Sequence, residues 1–310
     1  MIVFLARRLL FMLLTMLAVS IVLFALLEIN VESIAVRVLG QYSTPEQREI
    51  WLETNGYFRP IYERYFEWLS NFARGDLGES TLFNTRVAEI LWPALGNTAI
   101  LGLFTFALMV PLSLTLGILA GMREGSGTDR SITFLAVITT SIPEFASAVL
   151  LSFVFVFWLG LLPGTSGFAN GFSIREMILP VAVLVLYGFG YVARMTRASM
   201  AEVMQSPYIR TAVLKGMPHG RVIMRHALRN ALIAPFTVII LQINWLLSGV
   251  IVVEFFFGYK GFGALLLSAA LNHDIDMIQS CAMVAVIVAV ATQTIADIGY
   301  TYLNPRIRFT

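Results

Sequence analysis

The chain has 310 residues, of which 58% are hydrophobic and only 13% are charged, and its mean hydropathy is +0.79. Soluble domains carry about 25% charged residues, so this composition excludes an ordinary soluble protein and indicates a membrane protein. The formal net charge of +2 gives no sign of nucleic-acid binding, and a single cysteine excludes an internal disulfide.

The first predicted element is a transmembrane helix within residues 1–29. An apolar run from Leu9 to Leu27 follows the pair Arg7 and Arg8. This run is longer than the apolar region of a cleavable signal peptide, which is about 7–15 residues. We therefore expect a retained span, with its N-terminus in the cytoplasm because arginines resist translocation.

Residues 30–92 form the one long polar region, in which acidic residues outnumber arginines. Helical patterns occur over Pro45–Thr54 and Pro60–Ala73. This region is short and mixed in composition, which argues against an independent domain. We predict an extracytoplasmic loop region that packs on the mouth of the membrane part.

Residues 93–303 carry five more apolar segments, which gives an all-α polytopic membrane protein with six transmembrane helices. The predicted spans cover residues 97–121, 131–159, 177–192, 231–257 and 277–300. The second of these five is interrupted by Ser141-Ile142-Pro143-Glu144. Basic residues cluster in the short segments that this topology places inside the cell, so both termini, including a tail at 304–310, are expected in the cytoplasm.

A basic loop, residues 202–230, separates two of these spans. Ser206 and Pro207 are typical of a helix start, and Gly216 is typical of the left-handed residue after a helix end. The pattern predicts a short helix, Pro207–Lys215, with an apolar stripe of Tyr208, Ile209, Ala212 and Val213. Such a helix suits insertion into a groove on another protein.

A second helix is predicted after Pro218, and it leads into the next span. Arg221, Arg225 and Arg229 are spaced four apart, which places them on one helical face. That face has two readings: contact with a protein partner, or attraction to phospholipid headgroups. The sequence leaves both open.

The basic loop resembles the coupling loop of ATP-binding-cassette (ABC) importer permeases, called the EAA motif. The matching residues are Arg210-Thr211-Ala212-Val213-Leu214-Lys215-Gly216, followed by His226-Ala227-Leu228-Arg229-Asn230. More narrowly, the chain is similar to B-type subunits of the dipeptide, oligopeptide and nickel permeases. Other matching motifs are Gly75-Asp76-Leu77-Gly78-Glu79-Ser80, Ser141-Ile142-Pro143, Gly261-Phe262-Gly263 and Asn304-Pro305-Arg306-Ile307-Arg308.

The resemblance implies a role for the short helix in coupling to a cytosolic ATPase. The residues carried over to that role are Pro207, Tyr208, Arg210, Thr211, Ala212, Lys215 and Gly216. Ala212 and Gly216 are small and four apart, so we expect the ATPase surface to approach closely there.

The resemblance also implies the assembly: a homologous C-type permease subunit, two cytosolic ATPases and an extracytoplasmic solute-binding protein. Membrane lipid is a further partner, nucleic acid is not, and the location is the bacterial cytoplasmic (inner) membrane. The chain has no Gly-Lys-Ser/Thr sequence for a phosphate-binding loop. We therefore expect no enzyme activity and no cofactor here, with ATP and Mg used by the partner subunits and with peptides or related small solutes as cargo.

Glu144 is the candidate pathway residue, because an ionised carboxylate within an apolar segment is costly unless it faces water or a partner. The other reading is a local pairing near the end of the segment. Glu254 and Asp297 lie near predicted span ends, where helix-end pairing is favoured. An ion-coupled secondary transporter, with Glu144 and Asp297 as proton sites, is the alternative function; such carriers often contain inverted repeats, and none is evident.

Overall fold

A computed structural model describes residues 2–28, 35–36, 38–40, 42–167 and 171–303. The predicted cytoplasmic tail at 304–310 lies outside the described residues, and so does the side chain of Asp297. The chain forms two compact units, one built from Met1–Asn97 and Gly261–Ala291, the other from Thr98–Lys260 and the segment from Thr292 onward.

The first unit contains the N-terminal helices, a small β-hairpin and a later helical segment. Its elements are α1 (Ile2–Glu28), α2 (Pro45–Thr54), α3 (Ile61–Ala73), β1 (Glu79–Ser80), β2 (Thr85–Arg86), the start of α4 (Val87–Met122), α12 (Phe262–Leu271) and the first part of α13 (Ile275–Leu303). The two strands are antiparallel, with Glu79 opposite Arg86. Leu91, Phe262 and Met277 lie in the buried core of this unit.

The helix α2 begins at a capping box. The Thr44 hydroxyl accepts a hydrogen bond from the Gln47 amide, the Gln47 side chain accepts one from the Thr44 amide, and Pro45 occupies the first helical position. This reciprocal arrangement satisfies amides that a helix start otherwise leaves unpaired. The predicted helix Pro45–Thr54 is confirmed, and α3 starts one residue later than predicted.

The second unit is built around one long buried helix. Its elements are the remainder of α4, α5 (Gly127–Ser141), α6 (Glu144–Ser152) with a π-helical continuation (Phe153–Trp158), α7 (Ile174–Met204), α8 (Pro207–Leu214), α9 (His219–Val222), a π-helical turn (Ile223–Ala227), α10 (Leu228–Ala231) and α11 (Ile233–Phe257). Val183, Leu184 and Val192 on α7 are fully buried. The helix α7 therefore provides more residues of this buried core than any other helix.

Glycines on α4 permit its close contact with α7. A Cβ atom at Gly117 would meet Thr196, and one at Gly121 would meet Met200 and the Arg197 carbonyl. Small residues four apart let two membrane helices approach closely. The last turns of α4 are therefore held directly against α7.

Among the described residues, four helices are long and apolar enough to cross a membrane, or up to seven if each bent helix pair is one span. The all-α polytopic class is confirmed, and the predicted number of six falls within this range. The interruption predicted at Ser141-Ile142-Pro143-Glu144 within 131–159 is present, and α5 and α6 meet there at an angle of 101°. Ile142 is extended, with φ −90° and ψ 121°, since the residue before a proline disfavours the α conformation.

Candidate functional site

The predicted short helix of the basic loop is present as α8, Pro207–Leu214, one residue shorter than expected. Ser206 precedes it in extended conformation, but its hydroxyl donates to the Val203 carbonyl at 2.6 Å and does not cap α8. Gly216 has φ +72°, the left-handed conformation expected after a helix end. The chain therefore leaves α8 sharply at Gly216.

The inner face of α8 packs on the same chain. Ile209 and Ala212 are only 2% and 6% exposed, and they belong to a cluster that we call the loop core. The loop core consists of Met200, Ile209, Ala212, Val222, Ile223, Ala227 and Ala231. Because the Ala212 side chain lies inside this cluster, it cannot be a point of close approach for a partner, which corrects that expectation.

The outer face of α8 exposes both apolar and cationic side chains. Leu214 is 79% exposed and Val213 is 52% exposed. The residues predicted to couple to an ATPase that share this exposure are Pro207, Tyr208, Arg210, Thr211, Lys215 and Gly216. Leu214 and Val213 are thus adjacent exposed apolar residues flanked by the exposed cations Arg210 and Lys215.

Sequence reasoning missed Leu214 as a site residue. A signal was available, because Leu214 is apolar yet lies off the line of Ile209 and Ala212 that faces the loop core. An apolar residue outside the buried stripe of a short helix is free to contact a partner. The outer face is further fixed by Tyr208, whose hydroxyl accepts a hydrogen bond from Asn230 at 2.9 Å.

The three arginines after α8 are all exposed, as is Met224. Arg221 lies in α9, Arg225 in the π-helical turn and Arg229 in α10. The π-helical turn also supplies Ile223 and Ala227 to the loop core. The basic segment therefore has one side on the core and its cations directed outward.

A partly buried ion pair joins the helix that leads into the site, α7, to α5. Arg197 on α7 contacts Asp129 at the start of α5 through two hydrogen bonds, of 2.9 Å from Nε and 2.7 Å from Nη2. Asp129 is 4% exposed and also accepts from the Gly125 amide at 2.9 Å. The sequence did not point to this pair, because its members are far apart in the chain and each lies among ordinary loop-flanking charges.

Glu144 is the first residue of α6 and is half-buried. Within the part of the chain that the structure describes, no hydrogen bond or ion pair engages its side chain. A carboxylate at the first turn of a helix is favoured by the helix dipole. Glu254, near the end of α11, is fully buried and accepts a hydrogen bond from Thr98 at 2.5 Å.

A cavity of about 260 Å³ lies in the second unit. It is lined by Thr140, Tyr187, Tyr191, Arg194, Gln242 and Trp245. The rings of Tyr187 and Trp245 are stacked, with centroids 4.7 Å apart and an interplanar angle of 15°. Glu144 is not among the lining residues, so the sequence-based candidate and this cavity are separate features. Among the described residues, no group of three or more His, Cys, Asp or Glu side chains is placed to hold a metal ion.

Comparison with known proteins matches two family models. Residues 113–309 match the model described as binding-protein-dependent transport system inner membrane component. Residues 1–98 match the model for the N-terminal part of such membrane components. Together these matches extend over nearly the whole chain.

Similar curated proteins include the dipeptide transport system permease protein DppB of Alkalihalophilus pseudofirmus, at 32% identity over 98% of both chains. The oligopeptide transport system permease protein AppB of Bacillus subtilis is 34% identical over 84% of this chain and 85% of its own. The oligopeptide permease OppB of Haemophilus influenzae is 34% identical over 81% of both.

A solved amino acid ABC transporter structure with histidines has a similar fold, with a TM-score of 0.52 at 15% identity, over 69% of this chain and 94% of that one. The match covers most of that chain, so the two proteins share the arrangement of their helices. The chain belongs to the family of binding-protein-dependent transport system inner membrane components and is a permease subunit of an ABC importer.

Proposed function

We propose that this permease subunit forms half of a pathway for peptides or related small solutes, and that α8 is the helix through which cytosolic ATPases drive it. The observation that carries the proposal is the exposed Leu214, on a short helix whose opposite face is buried in the loop core. The relatives named as dipeptide and oligopeptide permeases support the substrate class.

The loop core gives α8 a mechanical connection to the membrane part. Ile209 and Ala212 of α8 pack with Met200 of α7 and with Ala231, the last residue of α10, which lies two residues before the start of α11. Close-packed interiors transmit displacement with little compression. A partner that moves α8 would therefore move the ends of α7 and α11 with it.

The ATPase contact would use the outer face of α8. Leu214 and Val213 would supply apolar area, and Arg210 in the middle of the helix and Lys215 directly after its end would supply charge. An amphipathic helix bound in a groove of a partner uses this combination. Two cytosolic ATPases would provide ATP and Mg chemistry, since the chain itself contains no Gly-Lys-Ser/Thr sequence.

The proposed topology has six spans, with both termini and α8 in the cytoplasm. Basic residues in short loops favour the cytoplasmic side, and α8 lies in the most basic short loop of the chain. Arg221, Arg225 and Arg229, all exposed, would contact anionic lipid headgroups beside α8. The other half of the pathway would come from a homologous C-type permease, and an extracytoplasmic solute-binding protein would deliver the solute.

The stacked Tyr187 and Trp245 beside Arg194 would lie along the pathway. Aromatic faces and a guanidinium together suit a peptide, which offers apolar side chains and a terminal carboxylate. Glu144 remains a second pathway candidate, at the break between α5 and α6.

Reconstitution tests the proposal. The purified chain in proteoliposomes should hydrolyse no ATP, whereas the assembly with its partner permease, ATPases and loaded binding protein should hydrolyse ATP and accumulate a peptide. Leu214→Glu should abolish both activities of the assembly while the chain still folds. Accumulation driven by a proton gradient without ATP would contradict the proposal and favour an ion-coupled carrier.

A further inference from the structure

Hydrogen bonds hold the motif Gly75–Ser80 against the first turns of α13. The Glu79 amide donates to Asp276 Oδ2 at 3.2 Å, and the Ser280 hydroxyl donates to the Leu77 carbonyl at 2.9 Å. Gly78 has φ +79°, and a Cβ atom there would meet Asp276 Oδ2 at 2.6 Å. Glycine is therefore required at this position both by conformation and by the close approach of the carboxylate.

Three aspartates lie at this contact, and both carboxylate oxygens of one of them accept hydrogen bonds within the chain. Asp274 is buried and accepts hydrogen bonds from the Ser80 hydroxyl at 2.5 Å and the Leu82 amide at 3.2 Å, and its other oxygen accepts from the Met277 amide. Asp276 and Asp76 are different. Each accepts one backbone amide, from Glu79 and Gly78 respectively, and no cationic side chain among the described residues pairs with either.

These two carboxylates open into a cavity of about 220 Å³. Phe24, Tyr57 and Trp68 provide an aromatic wall, and an ion pair of 2.6 Å between Arg59 and Glu67 also lines it. The volume is below the roughly 300–1,000 Å³ of sites for drug-sized ligands. The cavity thus suits a ligand of one or two amino-acid residues.

Gln279 supplies an independent sign of a ligand. It lines the same cavity, its side chain is 1% exposed, and its Nε2 has no hydrogen-bond partner among the described residues. A buried amide donor without an acceptor is costly, and native proteins seldom leave one unsatisfied. The cavity therefore offers the Gln279 amide donor beside two carboxylates that form no ion pair among the described residues, and the guanidinium of Arg64 lines it as well.

We propose that this cavity binds an α-ammonium group together with its neighbouring carbonyl oxygen, as found in a free amino acid or at the N-terminus of a short peptide. The ammonium would lie between Asp76 and Asp276, and the carbonyl or carboxylate oxygen would accept from Gln279 Nε2. The ligand side chain would contact Trp68. This inference rests on the proposed function in one respect: the proposed topology places the cavity on the extracytoplasmic side, where such solutes are available.

The test is calorimetric titration of the assembled transporter in nanodiscs with alanine, alanylalanine and N-acetyl-alanylalanine. Either of the first two should bind saturably, alanine alone indicating an amino-acid site and alanylalanine alone a peptide-end site. Acetylation removes the ammonium and its charge-assisted hydrogen bonds, so the acetylated peptide should bind at least about tenfold more weakly. Equal binding of the acetylated peptide would overturn the proposal.

Matched variants assign the binding to this cavity. Asp76 is exposed at the cavity rim, so Asp76→Asn should fold normally and weaken alanylalanine binding by about tenfold. Glu49→Gln, at an exposed carboxylate on α2 outside the cavity, should leave it unchanged. Unchanged binding in Asp76→Asn would overturn the proposal, as would butylamine binding as tightly as alanylalanine. ATP hydrolysis by the same preparation reports on the proposed function separately.

Discussion

Arg197 on α7 holds Asp129 at the start of α5 through two parallel hydrogen bonds, of 2.9 and 2.7 Å. Glu124 lies beyond it, with an oxygen 3.4 Å from the same guanidinium. Arg197 is one turn before Met200, which belongs to the loop core. The pair thus fixes the helix from which α8 extends.

Arg197→Ala should destabilise the protein, because it leaves the Asp129 carboxylate buried without its cation. Arg197 is 28% exposed, so the loss should lie between the about 0–1 kcal/mol of exposed pairs and the about 3–5 kcal/mol of fully buried ones. Thermal unfolding in detergent measures this loss. Glu124→Gln is the control and should have little effect, since the Glu124 side chain is 45% exposed and exposed pairs contribute about 0–1 kcal/mol. A similar loss in both variants would contradict the role given to the buried pair.

The two faces of α8 should respond differently to substitution. Ala212→Leu adds volume inside the loop core and should lower stability by about 1–3 kcal/mol, even in the isolated chain. Leu214→Ala should leave the stability of the isolated chain nearly unchanged and should instead weaken ATPase binding. Thermal unfolding and co-purification with the ATPases separate the two effects. Equal destabilisation by both changes would mean that α8 is not divided into inner and outer faces.

Gly216 is required for its backbone conformation and not for lack of space. Its φ is +72°, yet an added Cβ would meet nothing within 4 Å. Gly216→Ala should therefore cost about 1 kcal/mol through backbone strain, while Gly216→Asn should cost less because asparagine tolerates this conformation. Coupling, measured as peptide accumulated per ATP hydrolysed, should fall in the same order. Identical behaviour of the two variants would argue against a conformational role.

Glu144→Gln should reduce peptide uptake while leaving ATP hydrolysis and assembly intact, because Glu144 lies at the break between α5 and α6 without a bonding partner among the described residues. The reduction should be larger for peptides with an extra cationic side chain. Radiolabelled uptake into proteoliposomes measures it. Wild-type uptake of neutral and cationic peptides alike would remove Glu144 from the pathway.

Local signals in the sequence predicted the helices that local interactions determine. The capping box at Thr44 and Gln47 marks the start of α2, and Pro207 with Gly216 brackets α8 to within one residue. The apolar runs likewise predicted the long membrane helices. In each case a few neighbouring residues contain the physical cause.

Features that depend on distant residues were not predictable in this way. Gly78 and Asp276 are in contact although 198 positions separate them, and nothing near either residue indicates the other. The burial of Ala212 depends on Met200 and Ala227, so the sequence alone assigned its small side chain to a partner. The break at Ile142 was visible as a proline, but the angle of 101° depends on packing against α7.

Accessibility of position 214 tests the central claim, that the outer face of α8 binds the ATPases. The chain's one cysteine, Cys281, is buried, so Leu214→Cys introduces a single reactive thiol. Tyr42→Cys, at a fully exposed position in the first unit, is the control. Maleimide labelling should be rapid at both positions in the isolated chain. In the assembled transporter, labelling should become at least about tenfold slower at position 214, as expected for a thiol covered by a protein interface, and remain unchanged at position 42. Equal labelling of position 214 with and without the ATPases would contradict the account.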